Sequence, residues 1–497
     1  MVSLGTGIGI ERETRAPAEG TAAAYEAVVG LECHVQLATA SKMFCGCPSD
    51  YAGAPPNTHV CPVCLGMPGV LPVINRKAVD YTIMTGLAIN AEIPAATKFD
   101  RKNYPYPDLV KGYQISQYDL PLVKGGWVEI SVGGATRRIG VERIHLEEDT
   151  GKLSHLPGGG GSLIDYNRSG VPLMEMVTQP DLRSAAEARA YLLKLRGILR
   201  TLGVSDADME KGQLRCDVNV SLRPVGQQRL GTKVEIKNLN SFRAVQHALE
   251  YEIVRQTRLL QNGQAIAQET RGWQEDRAAT VPQRSKEQAH DYRYFPEPDL
   301  PPLFVGRDWV AALRARLPEL PDARGARYQS AFGLGVADAE ALALDPATAG
   351  YYETAIAAGA EPKKAANWIQ NDLGRLRAET GEDGRLEPRQ LAELIELVNT
   401  GAINSSTAKA VLEAAFRSGK DPRTLVDEMG VGQISDGSAL EAAVAAAIAA
   451  NPAAVADYRS GKTGTINFLK GQVMKATRGK ANPAVVEDLL RRELTPA

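Results

Sequence analysis

Four of the six cysteines are clustered, as Cys45-x-Cys47 and, after thirteen intervening residues, Cys61-x-x-Cys64. Two close pairs of thiolates can close a tetrahedron around Zn²⁺, and Pro62 and Gly66 suit the tight turns of a knuckle. Such a site has no open coordination position and needs no help from His59, so its expected role is structural. A second constellation is acidic. Glu32 and His34 stand two apart, Glu147-Glu148-Asp149 ends the run 139–146, and Asp217 and Glu235 lie in further alternating segments. Carboxylates gathered on one surface repel unless something positive sits between them. Hard oxygen ligands with one imidazole suit Mg²⁺, especially when a phosphate completes the coordination. The plainer alternative is surface ion pairing with Lys233, Lys237, Arg215 and Arg101.

Other chemistry is excluded or weaker. Gly461-Lys462-Thr463 has the ending of a phosphate-binding loop, but Ala456 stands where the leading glycine is required and no strand precedes it. ATP, if used, must then be held by a sheet and metal ions. The glycines at 5, 7 and 9 lack the spacing and strand of a dinucleotide loop, and the run 158–161 reads as a flexible connection. Residues 459–480 contain six basic and no acidic side chains. There Lys470 and Lys475, with Phe468, Val473 and Met474 for packing, suit either phosphate contact or a solvated helix face.

The elements that must position these groups are legible from periodicity. In 29–37, Val29, Leu31, Cys33, Val35 and Leu37 alternate with Glu32, His34 and Gln36. In 214–222, Leu214, Cys216, Val218, Val220 and Leu222 alternate with Arg215, Asp217, Asn219 and Ser221. Val234 and Ile236 alternate with Lys233, Glu235 and Lys237. Period two means one buried and one open face, which suits antiparallel strands. Two helices offer cover. One starts at the capping box Ser184 to Glu187 and stops at Gly203; the other spans 241–263. A sheet with helices on one side is a two-layer α+β domain whose other side is a polar platform. Beyond about residue 313, Ala-rich helices open with Pro362, Pro388, Pro422, Pro452 and Pro483, dividing softly near 425.

Composition sets the outer bounds. The 497 residues carry 57 basic and 59 acidic side chains, a net charge of −2, which excludes a uniformly basic nucleic-acid coat. The longest apolar run, 442–450, is nine residues, whereas a membrane helix needs about 20. Glu11, Arg12, Glu13 and Arg15 interrupt any apolar leader, so a cytosolic, reduced protein with a disordered tail at 1–24 is expected.

Six segments also occur in a familiar order. They are Val-Gly-Leu-Glu-Cys-His-Val-Gln-Leu (29–37), Phe-Asp-Arg-Lys-Asn-Tyr (99–104), His-Leu-Glu-Glu-Asp (145–149), Asp-Tyr-Asn-Arg-Ser-Gly-Val-Pro-Leu (165–173), Leu-Arg-Cys-Asp-Val-Asn-Val-Ser (214–221) and Tyr-Arg-Tyr-Phe-Pro-Glu-Pro-Asp (292–299). Together they resemble the B-subunit family of the tRNA-dependent amidotransferases, from about residue 25 to the C-terminus. The resemblance implies an antiparallel cradle domain related to the glutamine synthetase catalytic core (25–312, with the zinc knuckle), a helical domain (313–425) and a small helical tail facing tRNA (426–497). It implies Glu32, His34, Glu147 and Glu148 as magnesium ligands, with Glu147, Glu148 and Asp217 catalytic. Lys102, Asn103, Asn219, Ser221 and Glu235 are implied as the nucleotide and substrate surface.

The implied reaction converts Glu-tRNA(Gln) or Asp-tRNA(Asn) into the amide form. A carboxylate resists ammonia because oxide is a hopeless leaving group, and phosphorylation by ATP supplies a good one. Magnesium would neutralise charge developing on the phosphoryl oxygens, and a carboxylate would take a proton from the amine. The sequence shows no amidase-like Ser-Lys arrangement, so ammonia is expected from a separate amidase subunit, with a small third subunit. Two rivals remain: a non-catalytic zinc-knuckle RNA-binding protein, and a metal-dependent nuclease.

Overall fold

A computed structural model describes residues 25–285, 292–432, 437–477, 481 and 483–495. The tail expected at 1–24 and the basic stretch Arg478-Gly479-Lys480 lie outside the described residues. The chain divides into two compact units, Met1–Pro318 and Glu319–Ala497.

The first unit is built on a nine-stranded sheet. From one edge it runs through Ala279–Ser285, Glu269–Gln274, Val234–Lys237, Leu214–Pro224, Tyr25–Gln36, Pro172–Thr178, Ala135–Glu148 and Val123–Lys124, and Trp127–Val132 also pairs with the strand Ala135–Glu148. The pairs are antiparallel as expected, with one exception. Val234–Lys237 and Glu269–Gln274 run parallel, because the helix Phe242–Gln261 lies between them and supplies the crossover that a hairpin turn cannot.

Alternation sorts the side chains as read from sequence. Val29, Leu31, Cys33, Val35, Leu214, Cys216, Val218 and Val220 are all buried. The helices Ala185–Leu202 and Phe242–Gln261 pack together over the apolar side, where Tyr191 lies fully buried with its hydroxyl on the Met176 sulfur. Ser184 caps the first helix through the Glu187 N–H (3.2 Å), and Gly203 ends it at φ +65°. Only half of the expected capping box closes, since the Glu187 carboxylate accepts from the Arg183 N–H (2.7 Å) and not from Ser184.

Small sheets decorate this frame. Asp100–Asn103 lies between Tyr113–Ser116 and Phe295–Pro296, and Gly158 to Gly161 form the tip of the hairpin Lys152–His155/Ser162–Asp165. The second unit is helical, with one core gathered around Tyr328, Leu391, Ile395, Leu412 and Phe416. A separate core gathers Leu440, Val444, Leu469, Val473 and Leu490. All five prolines singled out above open helices. No single described helix is long and apolar enough to cross a membrane; Leu440, Val444 and Ala447 of the apolar run's helix are buried.

One buried ion network fastens the second covering helix to the sheet edge. Glu252 is fully buried and accepts from Arg255 (2.9 and 3.0 Å), Gln256 (3.1 Å) and Thr280, and it pairs with the Arg271 guanidinium at 3.0 Å. Burial opposes its ionisation, but the hydrogen bonds from Arg255, Thr280 and Gln256 hold the carboxyl below its ordinary range. Removing one member of such a pair strands the remaining charge, so Glu252→Gln should lower stability to urea by about 3–5 kcal/mol at pH 7. The native pKa is depressed, so the contribution is complete above the unfolded value and is lost as pH falls through the native one. The gap between wild type and variant should therefore close in acid. An equal gap at pH 7 and pH 3 would contradict this.

Candidate functional site

The face of the sheet opposite the two helices carries the expected polar groups, set in rows by strand register, with Glu147, Glu175, Glu235 and His145 buried there. Glu32 lies opposite Asp217, His34 opposite Arg215 on one side and Glu175 on the other, Glu175 opposite His145, and Leu173 opposite Glu147. Directly opposed residues share a face, so these side chains converge there. They form two groups.

The first group is His34, Glu147 and Glu175, whose ligand atoms all lie within 4.8 Å of one another. His34 Nε2 is 3.4 Å from Glu175 Oε2 and 3.9 Å from Glu147 Oε1. His145 closes the other side, with Nε2 3.1 Å from Glu175 Oε2 and 3.8 Å from Glu147 Oε2. Ser116 Oγ donates to Glu147 Oε2 (3.2 Å). Burial disfavours charge on both imidazoles, yet the Glu175 and Glu147 carboxylates outweigh it, raising His34 and pushing His145 up to about 9. The carboxylates respond in kind. Against burial, the His145 hydrogen bond lowers Glu147, and the charge of His145 holds Glu175 well below its usual range.

The second group is Glu32, Asp217 and Glu235, again within 4.8 Å. Each carboxylate has a named partner: Asn219 Nδ2 donates to Glu32 Oε1 (2.8 Å), and Thr270 Oγ1 to Glu235 Oε2 (2.7 Å). Lys237 Nζ donates to Asp217 Oδ2 (2.7 Å) and lies 3.4 Å from Glu235 Oε1. A recess of about 170 Å³ beside this group is lined by Gly30, Glu32, Thr178, Asn219, Ser221 and Lys233. The donor sets suit hard divalent cations: three carboxylates in one group, two carboxylates and an imidazole in the other.

Glu32, His34, Glu147 and Glu148, expected as magnesium ligands, do not gather into one cluster. Glu32 and His34 share the face, but two residues along a strand is about 6.6 Å, and each meets a different cross-strand neighbour. Glu148 joins neither group, because consecutive strand residues point oppositely. Its Oε1 instead accepts from the Lys111 ammonium and the Ile115 N–H (3.0 Å), on the wall of a cavity of about 200 Å³ next to Cys64. Ion pairing accounts for part of the expected platform, although the Asp149 and Glu297 carboxylates it involves are buried. Asp217 is bound to Lys237, Arg215 salt-bridges Asp149 (3.0 Å) and Arg101 salt-bridges Glu297 (2.7 Å). Lys102 approaches the first group from the strand Asp100–Asn103; burial opposes its charge, but Glu147 and then Tyr294 and Glu175 raise its pKa. Asn103 makes backbone contacts, donating from Nδ2 to the Arg293 carbonyl (2.8 Å).

Sequence reading missed Glu175, His145 and Thr270. Glu175 had a signal, as the sole charged residue of the strand Pro172–Thr178, two positions beyond a quoted motif. His145 alternates with Glu147 and so had to share its face. Thr270 had none, since its approach to Glu235 depends on the parallel pairing.

The four clustered cysteines converge as expected, with all four Sγ atoms within 4.8 Å of one another. Tetrahedral zinc with Zn–S bonds of about 2.3 Å sets sulfurs about 3.8 Å apart, so the set fits a Cys₄ ion. The buried Lys42 ammonium lies 3.7 Å from Cys64 Sγ and donates to the His59 carbonyl (2.7 Å). A hydrogen bond from Cys45, opposed by burial and helped by the Cys61 N–H and Lys42, brings Cys64 down to about 4. Cys33 and Cys216 are directly opposed on neighbouring strands in the core, outside this group.

Two domain families match this chain: the GatB/GatE catalytic domain over residues 27–311 and the GatB domain over 350–494. The B subunit of the aspartyl/glutamyl-tRNA(Asn/Gln) amidotransferase from Carboxydothermus hydrogenoformans is 55% identical over 476 residues, covering 95% of this chain and 99% of that protein. The protein of the same name from Moorella thermoacetica is 55% identical over 475 residues, covering 95% and 100%. That from Thermomicrobium roseum is 55% identical over 476, covering 95% and 99%. The first of the two domain matches contains every residue of both carboxylate groups, and with end-to-end identity above one half the chain belongs to the family of B subunits of the aspartyl/glutamyl-tRNA(Asn/Gln) amidotransferase.

Proposed function

We propose that this chain activates and amidates the side-chain carboxylate of Glu-tRNA(Gln), Asp-tRNA(Asn) or both, as one member of a cytoplasmic complex with an amidase and a small third subunit. The observation that carries the reading is the pair of ion-ligating groups side by side on one open face, in a chain of this family. The γ-phosphoryl group of ATP passes to a carboxylate oxygen of the aminoacyl side chain, releasing ADP. Ammonia then attacks the acyl carbon of the resulting acyl phosphate. The C–O bond breaks, phosphate leaves, and a carboxylate of the face takes the proton shed by nitrogen.

Magnesium held by His34, Glu147 and Glu175, and by Glu32, Asp217 and Glu235, would neutralise charge developing on the phosphoryl oxygens. Asn219 and Thr270 fix the orientation of Glu32 and Glu235, so that their lone pairs converge before substrate arrives. Lys102, beside Glu147, suits the nucleotide's phosphates. Asn219, Ser221 and Lys233 around the adjoining recess suit its sugar or the aminoacyl end. The Cys₄ set is assigned to structural zinc. A non-catalytic RNA-binding role leaves both carboxylate groups without purpose and is not favoured, and nothing separately supports a nuclease.

With the amidase and small subunits, ATP and Glu-tRNA(Gln), wild-type protein should release ADP only when the charged tRNA is present. Glu147→Ala and Glu175→Gln should each reduce that ADP release by about 100-fold, as expected when a metal site loses a ligand. Wild-type rates in both variants would refute the assignment of the first group. Protein purified without chelator should contain one equivalent of zinc, and Cys61→Ser should lose it together with thermal stability, with zinc read by atomic absorption. Less than half an equivalent in wild type would dismiss the knuckle.

A further inference from the structure

The segments 99–104 and 292–299 acquire a joint structure of which the chemistry above uses only Lys102. The strands Asp100–Asn103 and Phe295–Pro296 pair, and Asn103 grips the chain just ahead of the pairing. Its N–H donates to the Tyr292 carbonyl (2.9 Å) and its Nδ2 to the Arg293 carbonyl (2.8 Å). Between them Arg293 is held at φ +44°, a left-handed conformation unfavourable to a residue bearing a Cβ. Strain of this kind persists where surrounding contacts over-determine it, and it concentrates at ligand sites.

The clamp arranges four tyrosine rings. Tyr292 meets Tyr104 edge-on (centroids 5.6 Å apart) and Tyr294 edge-on (6.2 Å), while Tyr294 stacks on Tyr118 at 4.3 Å with planes 12° apart. Lys102 Nζ sits 5.2 Å from the Tyr292 centroid, and its charge also interacts with Glu147 and Glu175. Lys102 and Tyr294 thus both lie within electrostatic reach of the Glu147 and Glu175 carboxylates. Tyr118, the outer member of the stack, is 60% exposed. A flat ring pair with an open end and a cation at its flank is the chemistry that receives a nucleobase, and carboxylates beyond it could meet the attached phosphate only through a bound cation.

We propose that the Tyr118–Tyr294 stack is a binding site for an adenine ring whose attached phosphate or aminoacyl ester extends past Lys102 to the His34–Glu147–Glu175 group. The inference rests on the function proposed above and deepens it. Two sources present this ring, the adenine of ATP and the 3′-terminal adenosine of tRNA.

The test uses the assembled three-subunit complex with Tyr118→Ala and Tyr118→Trp. The Tyr118 backbone N–H that donates to Asp100 Oδ2 (3.0 Å) survives both changes, so the local turn is kept. Affinities are measured for Mg-ATP by equilibrium dialysis, and for uncharged tRNA(Gln), intact and trimmed of its terminal adenosine, by filter binding. Tyr118→Ala should weaken one ligand about tenfold, and Tyr118→Trp should restore it to within about twofold, as an aromatic face suffices. Weakening of ATP assigns the stack to ATP; weakening of intact but not trimmed tRNA assigns it to the terminal adenosine. Unchanged affinity in both arms, or equal weakening of intact and trimmed tRNA alone, overturns the proposal. In either case a wild-type complex that still forms ADP with charged tRNA leaves the catalytic reading standing, and one that does not removes that reading instead.

Discussion

The governing constraint is electrostatic. Five carboxylates, Glu32, Glu147, Glu175, Asp217 and Glu235, share one half-buried sheet face, in two groups whose ligand atoms lie within 4.8 Å. Two unit charges at such a separation repel by about 3–4 kcal/mol at an effective dielectric near 20. The arrangement is tolerable only with compensating positive charge. His34 and His145 supply it in the first group, with Lys102 nearby, and Lys237 supplies it in the second. The same balance would suit divalent ions, which bring more charge in a smaller volume than an ammonium or imidazolium does.

The rest of the first unit keeps that face rigid and open. The dry side of the sheet is sealed by two capped helices, so the strands cannot slip without moving every apolar side chain into water. At the far edge, the Glu252–Arg271 network fixes the strand Glu269–Gln274, and through it Thr270, which holds Glu235. At the near end, Lys42 ties the cysteine cluster to the backbone at His59, and Lys111 engages Glu148 on the adjoining cavity wall. The edge network thus bears on Glu235 through Thr270, whereas Glu148 is held by Lys111 directly.

Much of this is legible in the chain itself. Alternation in 29–37 and 214–222 places Glu32, His34, Asp217 and Asn219 on one face, because side-chain direction along a strand is a local property with period two. The cysteine spacing specifies a four-thiolate cluster for a similarly local reason. The helix starts at Ser184, Ser241 and the five prolines follow from capping chemistry confined to one turn. Glu147 and Glu148 read as one unit because they are adjacent in sequence. The same alternation separates them, and Glu148 faces Lys111 instead.

The sequence alone determined the family of elements, the polar character of the open face, the cysteine cluster and, through six ordered motifs, the class of reaction. Tertiary structure decided which acidic groups stand together. Grouping depends on strand order and register, which place Glu175 of one strand beside His34 of another 141 positions away, and on a parallel pair that brings Thr270 to Glu235. Local periodicity fixes the direction of a side chain. Its neighbours across the sheet are fixed only by closure of long chain loops around a common core, and no window of sequence contains that information.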